Sequence, residues 1–141
     1  MIKIIITGHG HFASGMISAA ELIIGENHSL EFVEFTKDTS PQQLKQRLSK
    51  IVEDVQEKQV LILSDLVGGT PYKTGADIAH SSEKKVTVIG GTNLAMVIEA
   101  SLTLSNENQL PQFAYDLIEK SRHGIDIFQI QEDDYEEDDI L

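Results

Sequence analysis

The chain has 141 residues, of which 40% are apolar, and carries a formal net charge of −12 at neutral pH. This length and apolar content predict one domain with a buried core. The negative charge argues against nucleic acids and anionic membranes as partners, and the lack of cysteine excludes disulfides and thiolate metal sites.

Strand and helix patterns alternate along the chain. In chain order we predict a strand over residues 2–7, a helix over 12–24, a strand over 30–35, a helix from 41 to about 55, a strand over 60–64, a helix over 71–80, a strand over 85–89, helices over 93–104 and 111–123, and a closing strand over 125–130.

Two local signals support these assignments. The run Ile2–Thr7 is mostly apolar and does not alternate, which is typical of a parallel strand that is covered on both faces. The run Ser40-Pro41-Gln42-Gln43 combines an N-cap, a proline at the first helical position and a capping-box glutamine. The pattern predicts an α/β fold, with an open, doubly wound, mostly parallel sheet, helices on both faces and a short C-terminal edge strand.

The last residues differ in composition from the rest. Seven acidic residues lie within residues 132–139. We therefore predict a domain over residues 1–130, followed by an acidic, disordered tail over 131–141. The N-terminal residues lack the apolar stretch of a signal peptide, and no apolar run approaches about 18 residues. Together with the absence of cysteine, this predicts a cytoplasmic protein.

A histidine and an aspartate follow the first and third predicted strands. In doubly wound sheets, ligands bind at the carboxyl ends of two neighbouring strands whose crossovers go to opposite faces. If the first and third strands are neighbours, Asp65 comes within hydrogen-bonding distance of His9. Asp65 would then accept the proton of one imidazole nitrogen and leave the other nitrogen free for nucleophilic attack. We predict His9 and Asp65 as catalytic residues.

A glycine-rich loop follows Asp65. Gly68 and Gly69 allow the backbone amides to turn toward an anion, Thr70 is a predicted N-cap, and Pro71 begins the next helix. These features predict that Gly68, Gly69 and Thr70 bind phosphate. The segments 8–13 and 65–72 contain no Lys or Arg, which favours transient phosphoryl transfer over nucleotide storage.

Three motifs resemble the enzyme IIA component of the mannose-family, phosphoenolpyruvate-dependent sugar phosphotransferase system (PTS). The resemblance covers roughly residues 1–130, and the spacing between the motifs fits as well. The motifs are Gly8-His9-Gly10 after the first strand, Asp65-x-x-Gly68-Gly69-Thr70-Pro71, and Gly90-Gly91-Thr92-Asn93-Leu94 with Met96. A proline common in the family after Asn-Leu is Ala95 here, a departure that touches no proposed chemistry.

The resemblance implies a phosphohistidine relay. His9 would take a phosphoryl group from the histidine phosphocarrier protein and pass it to a IIB component, which we expect on a separate chain. Asp65 would orient His9, while Thr70 and the neighbouring amides would hold the phosphate. The resemblance also implies a homodimer whose last strand, residues 125–130, exchanges between subunits. The membrane components IIC and IID would be indirect partners and would determine the sugar, which this sequence does not reveal.

Three alternatives remain open at this point. The phosphotransfer subunit of dihydroxyacetone kinase shares the architecture but resembles the chain less at residues 68–71. The pattern Gly8-x-Gly10-x-x-Ala13 formally fits a dinucleotide-binding fingerprint, although a histidine occupies its middle. Zinc could bind His9, His11 and Asp65 only if Gly10 bends the chain suitably. The favoured interpretation requires neither a metal nor another cofactor, and it assigns His11 to a helix start or the site rim.

Overall fold

The computed structural model describes residues 1–131. The predicted acidic tail lies outside the described residues, apart from Gln131. Within them the order of elements is β1 (Ile2–His9), α1 (Phe12–Ile24), β2 (Leu30–Phe35), α2 (Pro41–Asp54), β3 (Gln59–Ser64), α3 (Thr70–Ser81), β4 (Lys85–Ile89), α4 (Leu94–Thr103), α5 (Gln112–Ser121) and a short 3-10 turn (Arg122–Gly124). None of the helices in this part of the chain combines the length and apolarity needed to span a membrane.

The strands form one open sheet in the order β2-β1-β3-β4, and every pair is parallel. Strand β1 lies in the middle, where Thr7 is in register with Val33 of β2 and with Ser64 of β3. The predicted adjacency of the first and third strands is therefore confirmed. So is the doubly wound α/β fold, since helices cover both faces of this sheet.

The core has two layers, one on each face of the sheet. Ile4 and Ile6 of β1 face α1, α4 and α5, whereas Ile5 faces the opposite layer, which includes α2 and α3. All three isoleucines are fully buried. Neighbouring side chains of a strand point to opposite faces, so a central strand covered on both sides is apolar at most positions. This explains why the first strand has no alternating pattern.

The C-terminal segment corrects one prediction. Residues 125–130 form no strand within the described chain, and Ile125, Ile127, Phe128 and Ile130 are 69–76% exposed. Gly124 packs against Ala95, where an added Cβ would lie 2.8 Å from the alanine Cβ. A strand forms only where its backbone groups pair with a neighbouring strand, and this segment meets none within its own chain. The predicted edge strand is therefore wrong for the single chain.

Helix α2 begins as its sequence predicts. The Ser40 hydroxyl accepts a hydrogen bond from the Gln43 amide at 3.1 Å, and the Gln43 side-chain oxygen accepts one from the Ser40 amide at 2.9 Å. This reciprocal capping box satisfies two backbone donors that no helical carbonyl can reach. Within the helix that follows this cap, Leu44 and Leu48 are fully buried.

We expect Ser40→Ala to lower the free energy of unfolding by about 1 kcal/mol, the usual cost of losing an N-cap. Urea unfolding followed by circular dichroism measures this change. Ser18→Ala is the matched control, because Ser18 is exposed within α1, where alanine is a better helix former. Equal destabilisation by both variants would show that the cap does not stabilise α2.

Candidate active site

The site lies at the carboxyl end of the sheet, between β1 and β3. Helix α1 leaves β1 toward one face, and α3 leaves β3 toward the other. The two connections diverge and leave a crevice between the strand ends, which is where doubly wound folds bind their ligands. His9 is the last residue of β1, and Asp65 directly follows β3. The fold therefore brings together two residues that are 56 positions apart.

Asp65 binds His9 through two hydrogen bonds. Its Oδ2 atom lies 2.8 Å from the imidazole Nδ1 and also accepts the backbone N–H of His9 at 2.8 Å. Its Oδ1 atom accepts the backbone N–H of Leu66 at 2.8 Å. The Asp65 side chain is 15% exposed, whereas the His9 side chain is 47% exposed. The imidazole is thus held on one side and open to a partner on the other.

The electrostatics of this pair favour an ionised Asp65. Burial by itself would raise the pKa of Asp65, but the hydrogen bonds from the His9 amide, the His9 ring and the Leu66 amide outweigh it and lower the pKa. An ionised carboxylate only accepts hydrogen bonds. Nδ1 of His9 therefore supplies the hydrogen of this contact, and in the neutral form of the imidazole the lone pair of Nε2 is free. The arrangement is suited to nucleophilic attack by Nε2.

The glycine loop after Asp65 packs against the imidazole. A Cβ added to Gly69 would lie 2.9 Å from Cε1 of His9, closer than real Cβ contacts, so only glycine fits this approach. Gly68 has a φ of +83°, a backbone conformation that glycine adopts without strain. The Gly69 amide donates to the Leu66 carbonyl at 3.0 Å and is thus already used inside the loop.

The phosphate-binding predictions need one correction. The N-cap of α3 is Gly69 and not Thr70. Since glycine has no side chain, no side-chain hydrogen bond caps this helix. Thr70 is the first residue of the helix, where an amide has no intrahelical partner. In the part of the chain that the structure describes, the amides of Gly68 and Thr70 donate to no backbone carbonyl. These two amides lie at the positive end of the α3 dipole and can donate hydrogen bonds to an anion.

The loop after β4 braces the loop after β3. The Gly91 amide donates to the Asp65 carbonyl, and the Thr92 amide to the Ser64 carbonyl, each at 3.0 Å. A Cβ at Gly90 would lie 2.6 Å from Cγ2 of Val67. The Gly90-Gly91 pair thus permits close packing of two loops and fixes the backbone of Asp65.

Strand β2 contributes residues that the sequence analysis did not assign to the site. The Phe35 ring meets the His9 ring edge-on, with centroids 5.8 Å apart, and its carbonyl accepts the Gly10 amide at 2.7 Å. His11 turns to Glu34, whose Oε2 lies 3.0 Å from the His11 Nδ1. The sequence places Glu34 and Phe35 at the end of a predicted strand. This position identifies them as site residues only when β2 is known to lie beside β1.

The histidines do not converge as a zinc site requires. His11 is the N-cap residue of α1 and pairs with Glu34, while His9 pairs with Asp65. Among residues 1–131, no group of three or more His, Cys, Asp or Glu side chains is arranged to hold a metal ion.

Comparison with known proteins identifies the family. The family model for EIIA-man, described as PTS system fructose IIA component, matches residues 3–116. The fructose-specific EIIA component of Bacillus subtilis (strain 168) is 33% identical over 100 residues, which cover 70% of this chain and 68% of that protein. The sorbose-specific EIIA component of Lacticaseibacillus casei is 30% identical over 105 residues, which cover 74% and 75%.

A solved structure agrees with these matches. The phosphotransferase system component EIIA from Streptococcus agalactiae superposes with a TM-score of 0.83 at 34% identity, covering 90% of this chain and 97% of that one. The resemblance drawn from the motifs is thereby confirmed, and neither dihydroxyacetone kinase nor dinucleotide binding is favoured. The chain belongs to the EIIA-man family of PTS IIA components, which are phosphotransferases that relay a phosphoryl group in sugar uptake.

Proposed function

We propose that His9 is the residue that carries the phosphoryl group, on Nε2, and that Asp65 orients it. The observation that carries this proposal is the 2.8 Å contact between the His9 Nδ1 and an aspartate whose pKa is lowered. The contact fixes the tautomer and directs Nε2 away from the carboxylate. The side chain keeps 47% of its surface exposed, so the reacting nitrogen is accessible to a protein donor.

The transfer is an in-line displacement at phosphorus. The lone pair of Nε2 forms the new N–P bond, while the donor histidine takes back the electron pair of its own N–P bond. The Nδ1 proton stays in its hydrogen bond to Asp65, so the positive charge that develops on the His9 ring is compensated by the carboxylate. The same steps in reverse order deliver the phosphoryl group to the next carrier.

The phosphate-binding part of the proposal rests on the loop after β3. The amides of Gly68 and Thr70 and the N-terminus of α3 supply partial positive charge for the phosphoryl oxygens. The segments 8–13 and 65–72 add no cationic side chain. Binding by amides alone is weak enough for the group to leave again, which a relay requires.

The partners follow from the family. PTS IIA components work with a phosphocarrier and a IIB partner. For this chain we propose the histidine phosphocarrier protein as donor and a IIB component on a separate polypeptide as acceptor, with the membrane components IIC and IID as indirect partners. A cytoplasmic location remains a prediction. The named relatives act in fructose and sorbose systems, and the sugar served by this chain follows from its membrane components.

We also propose a homodimer in which residues 125–130 complete the sheet of the partner. Within the single chain, this segment exposes four large apolar side chains, namely Ile125, Ile127, Phe128 and Ile130. A contiguous exposed apolar segment is typical of an interface. In the described chain, β4 pairs on one side only, with β3, so its other edge is available to a strand from a second copy.

The first prediction concerns the acceptor residue. We expect His9→Gln to remain folded but to accept no phosphoryl group, because the amide lacks a nucleophilic nitrogen. Asp65→Ala is expected to slow transfer about 100-fold through loss of orientation. The measurement is incubation with phosphoenolpyruvate, enzyme I and the phosphocarrier, followed by intact-mass analysis and mapping of an acid-labile, alkali-stable adduct.

His28→Gln is the control for this experiment, since His28 is exposed and pairs with Glu26, away from the crevice. It should accept one phosphoryl group at the wild-type rate. Transfer to the His9→Gln variant at the wild-type rate would refute the assignment.

The second prediction concerns the close approach of Gly69. Gly69→Ala places a Cβ against Cε1 of His9, and we expect the ring to shift and transfer to slow about 10- to 100-fold. The backbone at residue 69 suits alanine, so the fold should be retained. The rate of phosphoryl transfer and the thermal unfolding midpoint measure the two effects. Gly15→Ala, where an added Cβ meets no neighbour, should leave the rate unchanged. Equal rates in both variants would contradict the packing argument.

The third prediction concerns the dimer. We expect the intact chain to sediment as a dimer, and Ile127→Asp with Phe128→Asp to sediment as a monomer, because charged side chains are costly at a buried interface. Sedimentation velocity measures both. Leu22→Asp with Ile23→Asp is the control, because these residues are exposed on α1 and outside the exchanged segment. A monomeric wild-type chain, or dissociation by the α1 control alone, would refute the exchanged-strand interface.

A further inference from the structure

Lys73 places a positive charge near the positive end of a helix. It is the fourth residue of α3, which begins at Thr70 and has no acidic residue in its first turn. The helix dipole disfavours a cation at this end. The Lys73 side chain is exposed, and among residues 1–131 it forms no ion pair, although Asp77 lies one turn further along α3. The described chain thus holds this charge at an unfavourable position without a counter-ion.

The backbone places Lys73 one helical turn from the proposed phosphoryl acceptor. The Lys73 amide donates to the Gly69 carbonyl at 2.9 Å, and a Cβ added to Gly69 would lie 2.9 Å from Cε1 of His9. Cε1 is bonded to Nε2, so the acceptor nitrogen is one bond from this contact. Residues four apart in a helix are separated by about 6 Å along the axis. Their Cα–Cβ bonds tilt toward the N-terminus, and the four-carbon stem of lysine can bridge such a distance.

Negative charge accumulates in the phosphorylated site. A phosphoryl group is an anion, and on His9 it would lie beside the carboxylate of Asp65, with Glu34 at the end of the neighbouring strand. The hydrogen bond from the Ser14 hydroxyl lowers the pKa of Glu34, so this group is ionised as well as Asp65. Like charges repel, and a nearby cation lowers the free-energy cost of adding the phosphoryl group.

A second lysine, Lys37, also lies near this end of the sheet. It is in the turn that leads from β2 into α2, and this turn is closed by a hydrogen bond of 3.0 Å from the Thr39 amide to the Thr36 carbonyl. The N-terminus of α3, in contrast, packs directly against the His9 ring. The geometry therefore favours Lys73 over Lys37 as the cation that faces the phosphoryl group.

We propose that Lys73 binds the phosphoryl group on His9 and stabilises the phosphorylated state of this chain. This inference rests on the proposed function and adds one cationic side chain to the backbone amides of the loop. The ammonium group contributes charge and hydrogen-bond donors, and it transfers no proton. Water screens an exposed lysine, so the contact is weak and the phosphoryl group can still leave for the next carrier.

The test uses a small phosphoryl donor, so that no partner protein contributes to the result. The intact chain is phosphorylated with phosphoramidate, and the His9→Gln variant identifies the signal of the His9 adduct. A pH titration followed by phosphorus NMR then gives the pKa of the phosphoryl group. Lys85→Gln is the matched control for Lys73→Gln, because Lys85 is exposed at the start of β4, at the opposite end of the sheet.

We expect Lys73→Gln to raise the pKa of the phosphoryl group on His9, because a neighbouring cation favours its more highly charged form. In a mixture with the histidine phosphocarrier, the equilibrium should shift about three- to fivefold toward the phosphorylated carrier. The thermal unfolding midpoint of the unphosphorylated variant should stay the same or rise, since the dipole no longer opposes a charge there. A purely structural role would lower that midpoint. Lys85→Gln should retain the wild-type values.

Equal pKa values of the phosphoryl group in Lys73→Gln and Lys85→Gln would overturn the proposal. A shift in Lys37→Gln alone would overturn it too, and would identify Lys37 as the cation. Slower transfer from the carrier with an unchanged pKa would show that Lys73 contacts the carrier instead. If His9 of the wild-type chain accepts no phosphoryl group, the proposed function fails together with this inference. If His9 is phosphorylated but Lys73→Gln has no effect, only this inference fails.

Discussion

The carboxylate of Asp65 is the group on which the site depends. It accepts hydrogen bonds from the backbone and side-chain nitrogens of His9 and from the amide of Leu66. One side chain thus joins the ends of β1 and β3 and orients the imidazole. Three hydrogen-bond donors offset the cost of burying this charge. The ionised carboxylate can only accept hydrogen bonds. The tautomer of His9, and with it the identity of the free nitrogen, follows from that single constraint.

Close packing of the loops keeps this geometry fixed. Glycines let side chains approach the backbone closely at the carboxyl end of the sheet: an added Cβ would lie 2.5 Å from the Phe12 ring at Gly8, 2.9 Å from the His9 ring at Gly69 and 2.6 Å from the Val67 side chain at Gly90. The imidazole is therefore held between the Asp65 carboxylate and the backbone of Gly69. A preorganised nucleophile pays little reorganisation cost during transfer.

In the proposed relay, the loop after β3 offers backbone amides to the phosphoryl group, and residues 8–13 and 65–72 contain no cationic side chain. A storage site gains from tight binding, whereas a relay must both accept and release the same group. Weak amide contacts would favour release.

The sequence by itself determined the features that depend on local interactions and on burial. The apolar run of β1, the Ser40 capping box and the order of elements were predictable, because each follows from neighbouring residues or from coverage on both faces. His9 and Asp65 were predictable because the carboxyl ends of parallel strands share one edge. Their contact, however, was conditional on β1 and β3 being neighbours, which the sheet order decided.

Only the tertiary structure decided the contacts between segments distant in sequence. The pairing of His11 with Glu34 and the edge-on contact of Phe35 with His9 depend on β2 lying beside β1. Residues 125–130 have the composition of a strand, yet they form none in the single chain, because a strand requires a neighbour and this segment pairs with no strand of its own chain. Local sequence specifies conformational preference, whereas pairing depends on where the rest of the chain lies.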